Sequence, residues 1–432
     1  MKPNVVLISG HDLGRLLGVY NRDIETPELD KLSEGGVTFE NNFATASQCS
    51  PSRASIMTGK YPHNHGLMGL VHEGYGWKLN EDEKTIPNYL NESGYETHLF
   101  GLQHESKNPS DLGYQYIHGE GIGSQRAKPT TKDFLNFLDS WEDNNSPFFA
   151  SIGFYEAHRP YGLEKYEDVK PSEISPLPYL PDTKKIRDDL AGLYSMIHRV
   201  DESVGIIMKK LSGTGIKENT LVIFTTDHGI AMPRAKGTCY DPGVGTALVM
   251  SDSEVFSTGN RYEELISNID LLPTLLDYLE IEIPQRIDGK SFYPLVKGNN
   301  YQSRNHIFME MTWHDKYNPL RAIRTERYKY IKNFVDEPGI YLPADIYDSP
   351  SGEEVKDKYY SFPRPDEELY DLQSDPWEKN NLAELSTQDD VKKELKDKLI
   401  DWMEETNDPL LNGPVPPTEE QKQTLKNDQL GN

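Results

Sequence analysis

Two histidine–aspartate pairs stand out by position. His11-Asp12 follows the apolar run Asn4–Ser9, and Asp227-His228 follows Leu221-Val222-Ile223-Phe224-Thr225. Side by side, a carboxylate and an imidazole offer metal ligands of different hardness: calcium prefers oxygen, whereas imidazole suits zinc and other transition metals. A histidine satisfied by core contacts is the plainer reading of either residue, but it weakens when two such pairs end two strand-like runs. Cys49, Arg53, His104, His158 and Lys236 are further residues able to do chemistry. Taken singly, each has an ordinary explanation, since a buried cysteine behaves as a small apolar residue and a lone His or Lys as a surface charge or loop hydrogen bonder. Were a fold to bring them together, they would supply two imidazoles and two cations around one nucleophile and one metal. A tetrahedral anion with a departing charged atom requires that set.

The elements that must position these residues are legible in the periodicity. Asn4–Ser9, Phe148–Phe154 and Leu221–Thr225 are short, nearly continuous apolar runs, the pattern of strands buried on both faces of a parallel sheet. Between the last two, Leu190, Leu193, Ile197, Val200, Val204, Ile207 and Leu211 recur at alternating steps of three and four, predicting a helix with Gly213 as its C-cap. Strand–helix alternation gives an α/β fold with a large, mostly parallel sheet sandwiched by helices. Ligands of such sheets bind beyond the carboxyl ends of the strands, where both His–Asp pairs fall. After about residue 298 the texture changes. His306–Met311, Arg321–Thr325, Tyr328–Asn333 and Glu368–Leu372 read as strands of a smaller antiparallel sheet, and a helix is expected near Val391–Met403. This divides the chain into a catalytic domain over residues 1–298 and a C-terminal subdomain over 299–432, whose last twenty residues read as a surface-hugging or mobile tail.

Bulk properties narrow the function classes. A net charge of −25 over 432 residues disfavours nucleic acid and anionic membrane as partners, and no apolar run approaches the roughly 18 residues of a membrane span. The N-terminal apolar stretch is too short for a signal h-region and lacks a small-residue cleavage site, so a cytoplasmic location is expected. Cys49 and Cys239 are the only cysteines. If one is catalytic, no intrachain disulfide remains.

The stretch Cys49-Ser50-Pro51-Ser52-Arg53, followed by Thr58-Gly59-Lys60-Tyr61-Pro62, resembles the signature of the formylglycine-dependent sulfatases of the alkaline phosphatase superfamily. Thr26-Pro27-Glu28-Leu29-Asp30-Lys31-Leu32 and the closing Tyr370-Asp371-Leu372, Asp375-Pro376 and Asn381-Leu382 extend the resemblance over nearly the whole chain. It implies that Cys49 is oxidised by a maturase to formylglycine. One hydroxyl of the hydrated aldehyde attacks sulfur, and the other lets the sulfated intermediate collapse. It also implies a divalent metal, calcium in the family, held by His11, Asp12, Asp227, His228 and the matured Cys49. His11 stands where relatives have aspartate, and Leu102 where they have a sulfate-binding lysine. By the same resemblance Arg53 anchors the gem-diol, His104 serves it during sulfate release, His158 protonates the leaving atom and Lys236 binds sulfate.

Gly66–Leu70, Ile230–Pro233 and Trp402–Pro409 are most similar to the sulfamidase-like branch, so a small sulfated sugar or oligosaccharide is the expected substrate. Two alternatives stay open: a phosphonate or phosphate ester hydrolase on the same fold, and a glycan-binding relative without turnover. His63, His65, His72 and His314-Asp315 are softer candidates for the substrate pocket, and Cys239 reads as a structural thiol.

Overall fold

A computed structural model describes residues 2–20, 22–119, 125–141, 146–161 and 169–430, with side chains to 427. The central sheet has eight strands: β1 (Asn4–Gly10), β2 (Val37–Phe43), β3 (Glu96–Gly101), β4 (Tyr116–His118), β5 (Phe148–Gly153), β6 (Thr220–Thr226), β7 (Leu248–Ser251) and β8 (Arg261–Ser267), in the order β4-β3-β5-β1-β6-β7-β2-β8. All neighbours run parallel except β7, which is antiparallel to β6 and β2. The apolar runs are continuous because both faces are covered. Val6, Ile8, Val222 and Phe224 join one core layer with the long helix Lys184–Thr214. Val5, Leu7, Leu221 and Ile223 join the other, with Leu271, Leu272 and Leu275. Every apolar position of the three–four repeat in the long helix is fully buried, and each such side chain contributes about 1.5–3 kcal/mol.

That helix runs past Gly213. Its cap is Gly215, at φ 78° with its N–H on the Ser212 carbonyl. A side chain is disfavoured at that angle, so the chain turns at the second glycine, where the left-handed conformation is taken.

The second sheet is antiparallel, ordered β12-β11-β10-β9 from β9 (His306–Trp313), β10 (Tyr317–Thr325), β11 (Tyr328–Asn333) and β12 (Glu367–Asp371). One face packs on the helix Asp389–Glu405 through Ile323, Tyr330, Leu399 and Trp402. The other meets the large domain through Met309, Leu320 and Ile331 against Phe43, Val244 and Leu265. Of the surface-hugging or mobile tail expected, the structure shows the first alternative, and Glu419–Leu430 is a helix. Gln421, fully buried, accepts from Trp77 Nε1 at 2.8 Å and donates to the His314 carbonyl at 2.8 Å. Polar side chains are the ones that dock it.

Candidate active site

β1 and β6 lie side by side with Gly10 opposite Thr226, so the residues after each strand emerge together. Asp12 adopts φ 53°, unusual for a non-glycine residue. Such a conformation persists only where its surroundings over-determine it. Here the Asp12 amide donates to Asp227 Oδ1 at 3.0 Å, and the His228 amide donates to the same oxygen at 2.8 Å. The helix Cys49–Thr58 is the third element. Cys49 is its first residue, after an extended Gln48, so the positive end of the helix dipole faces that side chain. Ser52 Oγ donates to the Asp227 carbonyl. Arg53 donates from Nε to Asp227 Oδ2 at 3.0 Å and from Nη1 to Ser9 Oγ at 3.2 Å. These bonds fasten the first helical turn to both strand ends and set Cys49 Sγ 3.9 Å from Asp12 Oδ1.

One donor atom each from His11, Asp12, Cys49, Asp227 and His228 lies within 4.8 Å of the others, and all five residues are buried. His11 Nδ1 and His228 Nε2 both approach Asp12 Oδ1 to 2.9 Å. Neither contact is aligned as a hydrogen bond, and both nitrogens are left unpaired. Buried donors that converge without pairing are costly; a cation at their common point would satisfy them. The set fits a divalent cation, with two carboxylates and two imidazoles as ligands. Cys49 Sγ marks the place of the oxygens that a formylglycine would present. Burial opposes charge on both imidazoles, but the neighbouring carboxylates outweigh it, pushing His11 up to about 9 and His228 up to about 10. Burial likewise works against the Cys49 thiolate, yet Lys236 and His11 bring the thiol well below its usual range.

Around this centre stand the other sequence-predicted groups. Lys236 Nζ donates to Asp12 Oδ2 at 2.9 Å. His104 Nδ1 lies 3.3 Å from His11 Nε2, and burial lowers His104 to about 3. His158, after β5, sets its ring 4.8 Å from that of His11, with Nδ1 3.1 Å from the Tyr155 hydroxyl. Burial and then Lys236 lower its pKa. The adjacent Arg159 holds Asp189 of the long helix at 2.9 and 2.6 Å and the Ala231 carbonyl at 2.8 Å. The loop carrying His158 is therefore braced from two sides.

The softer candidates divide. His72 faces the site, its ring 4.4 Å from that of His104. His65 is core, fully buried and 3.2 Å from Ser55 Oγ. His63 turns away to Glu310. His314 is oriented by Asp315 at 2.6 Å, which Tyr341 in turn holds. Cys239 is buried, and burial pushes its thiol up to about 12. Leu102 is buried just beyond β3. Asp345 had no sequence signal: it reaches Lys236 Nζ at 2.9 Å from Ala344-Asp345-Ile346-Tyr347, which carries no motif. A cleft of about 410 Å³ lined by Arg15, Arg22, Asp241, Arg324 and Trp377 shares none of these residues.

Strand ends, a helix-borne cysteine and a converging donor set define a hydrolase centre for a tetrahedral anion, and the family is shown directly. Residues 3–281 match the sulfatase family model, and the chain belongs to that family. Within it, residues 234–361 match the model described as N-sulphoglucosamine sulphohydrolase, C-terminal. The chain is 29% identical to human N-sulphoglucosamine sulphohydrolase, over 95% of this chain and 92% of that protein. It is also 29% identical to an ulvan-active sulfatase of Formosa agariphila, over 94% and 81% of the respective chains. In fold it is similar to a protein solved with its substrate D-glucosamine-2-N,6-O-disulfate, at TM-score 0.72 and 18% identity over 94% and 99% of the two chains. The phosphonate monoester hydrolase of Agrobacterium radiobacter is similar at TM-score 0.74 and 21% identity, over 94% and 96%. The protein is thus a sulfatase-family hydrolase of alkaline phosphatase-like architecture.

Proposed function

We propose that this enzyme removes sulfate, as ester or sulfamate, from a small sulfated carbohydrate, using formylglycine derived from Cys49 on a divalent cation. The observation that carries the reading is the placement of Cys49 Sγ among four buried ligand residues with two unpaired imidazole nitrogens. Asp12, Asp227, His11 and His228 would hold the cation. Calcium is the proposed ion on family resemblance, and elemental analysis showing zinc instead would replace it. When bound, the cation would polarise the sulfate oxygens and lower the pKa of the gem-diol that a formylglycine presents.

This chain's own groups do the rest. Arg53, pinned by Asp227, balances charge beside residue 49, and Lys236 faces the sulfate. His104 accepts a proton from residue 49 when sulfate is released. His158 gives a proton to the departing atom. Its neutral resting state fits that role once an anion arrives, because a negative charge raises the imidazole pKa. The C-terminal part, which we take as residues 299–432, would complete the sugar site. Mass spectrometry of protein coexpressed with a formylglycine-generating maturase should show thiol-to-aldehyde conversion at Cys49. Cys49→Ala should then lower turnover by several orders of magnitude. Wild-type rates in that variant would refute the reading.

A further inference from the structure

Asp345 enters the catalytic chamber from the C-terminal part of the chain. The segment Tyr341–Tyr347 crosses over Gly237, the neighbour of Lys236. Gly237 has φ 82°, and a Cβ there would stand 2.8 Å from Pro343 Cγ. This close approach, with Tyr341, Leu342 and Ile346 buried behind it, delivers the Asp345 carboxylate to Lys236. Oδ2 accepts from Lys236 Nζ at 2.9 Å, while Oδ1 is buried and unpaired. Asp345, Asp12 and His158 each place one ligand atom within 4.8 Å of the other two. Three such donors resemble a second metal site, but the Lys236 ammonium already bridges Asp12 and Asp345 at 2.9 Å each. Asp345 thus stands beside His158, the imidazole assigned above to protonate the leaving atom, with its Oδ1 still without a hydrogen-bond partner.

The two chemistries open to this site differ in what leaves. Hydrolysis of a sulfate ester, R–O–SO3⁻ + H2O → R–OH + SO4²⁻ + H⁺, breaks S–O and releases a neutral alcohol. Hydrolysis of a sulfamate, R–NH–SO3⁻ + H2O → R–NH3⁺ + SO4²⁻, breaks S–N. The electron pair stays on nitrogen, and both protons of water end there. Only the second leaving group carries an N–H in the substrate and departs as a cation. A buried carboxylate favours a cation and an N–H donor, and disfavours negative charge developing on oxygen. We propose that Asp345 is the residue that reads the leaving atom, accepting the sulfamate N–H at Oδ1 and favouring release as an ammonium. This makes the site selective for sulfamates over sulfate esters, and it rests on the sulfatase reading above.

The test uses matured, metal-loaded enzyme and compares kcat/KM for N-sulfoglucosamine and glucosamine 6-sulfate, with nitrophenyl sulfate as a general sulfatase substrate. In Asp345→Asn the sulfamate-to-ester ratio should fall roughly 10- to 100-fold, the loss expected for a hydrogen bond to a charged group. Equal losses on both substrates would show that Asp345 only holds Lys236, and would overturn the proposal. So would a wild-type enzyme that turns over esters but not the sulfamate, which leaves the sulfatase reading intact. A wild type inactive on all three would break that reading itself. Calorimetry keeps the proposal testable if the variant is too slow to assay. Glucosamine should bind the wild type more tightly than glucose, the difference should vanish in Asp345→Asn with metal content unchanged, and no difference in the wild type would count against the role.

Discussion

Two buried clusters in this molecule have almost the same ingredients and opposite meanings. One is the centre of His11, Asp12, Asp227 and His228 around Cys49; the other joins His63, Glu310 and Asp408. Both bring imidazole and carboxylates within metal-ligand distance, and both are shielded from water. The second is internally neutralised. Arg321, fully buried, holds Asp408 through Nε and through Nη2 at 3.0 Å, and its Nε lies 3.3 Å from Glu310. Glu310 also takes the His63 backbone N–H at 2.8 Å and its Nδ1 at 2.5 Å. The space a cation would fill holds a guanidinium, and the cluster ties the segment after the signature helix to the small sheet. In the first cluster, Arg53 and Lys236 hold carboxylates from the rim, and two imidazole nitrogens remain unpaired toward the middle. Proximity of donors is therefore weak evidence for a metal. The first cluster is set apart because both unsatisfied nitrogens lie 2.9 Å from one Asp12 oxygen at paired strand ends. The second, though His63 Nε2 also lacks a hydrogen-bond partner, has a guanidinium between its carboxylates.

The sharpest way to break this comparison is to remove one carboxylate from each cluster. Asp227→Ala should abolish metal retention and cut turnover by several orders of magnitude, since nucleophile and metal act as a unit. Asp408→Ala should leave metal content intact and destabilise the fold by about 3–5 kcal/mol, the usual result of stripping one partner from a buried ion pair. Metal loss in the second variant, by elemental analysis, would erase the distinction.

A smaller effect separates His158 from the proposed metal centre it adjoins. His158→Ala should slow a sugar sulfate or sulfamate by roughly 10²- to 10⁴-fold, the usual contribution of a general acid. It should slow nitrophenyl sulfate far less, because that leaving group hardly needs a proton. Equal losses on both would remove His158 as the acid. The same assay, run with matched aryl phosphonates, ranks the phosphonate hydrolase alternative, for which the structural likeness shows the fold alone.

The mildest perturbation is in protonation. His11 and His228, raised to about 9 and about 10, carry protons at neutral pH in the metal-free centre. A metal must displace those protons, so its affinity should rise with pH from 7 toward 9, with proton release measurable by calorimetry in buffers of different ionisation enthalpy. His11→Asp should keep activity, release fewer protons and tighten calcium binding by restoring a hard oxygen donor. Unchanged proton release in that variant would place His11 outside the coordination shell.

Much of this was written in the sequence, for reasons of local pattern. β1 and β6 were legible because strands covered on both faces must be apolar throughout, and the long helix because its buried stripe repeats without a break from Leu190 to Leu211. His11-Asp12 and Asp227-His228 could be placed because chemistry in a parallel sheet sits where strands end. The tertiary structure decided what has no local signal. It chose Gly215 over Gly213 as the helix end, because only the actual turn shows which glycine takes the left-handed angle. A polar C-terminus became a docked helix because Gln421 and Glu420 find partners at Trp77 and Gly74, more than 340 residues away in the chain. His65 went to the core and His72 to the site, although both follow the same signature. Asp345 was invisible in its own tetrapeptide. Its role comes from Pro343 closing over the bare Cα of Gly237, a contact between positions more than a hundred residues apart. Spacing along the chain reports which residues share an element; which of them meet a group from a distant element is fixed only when the two lobes pack.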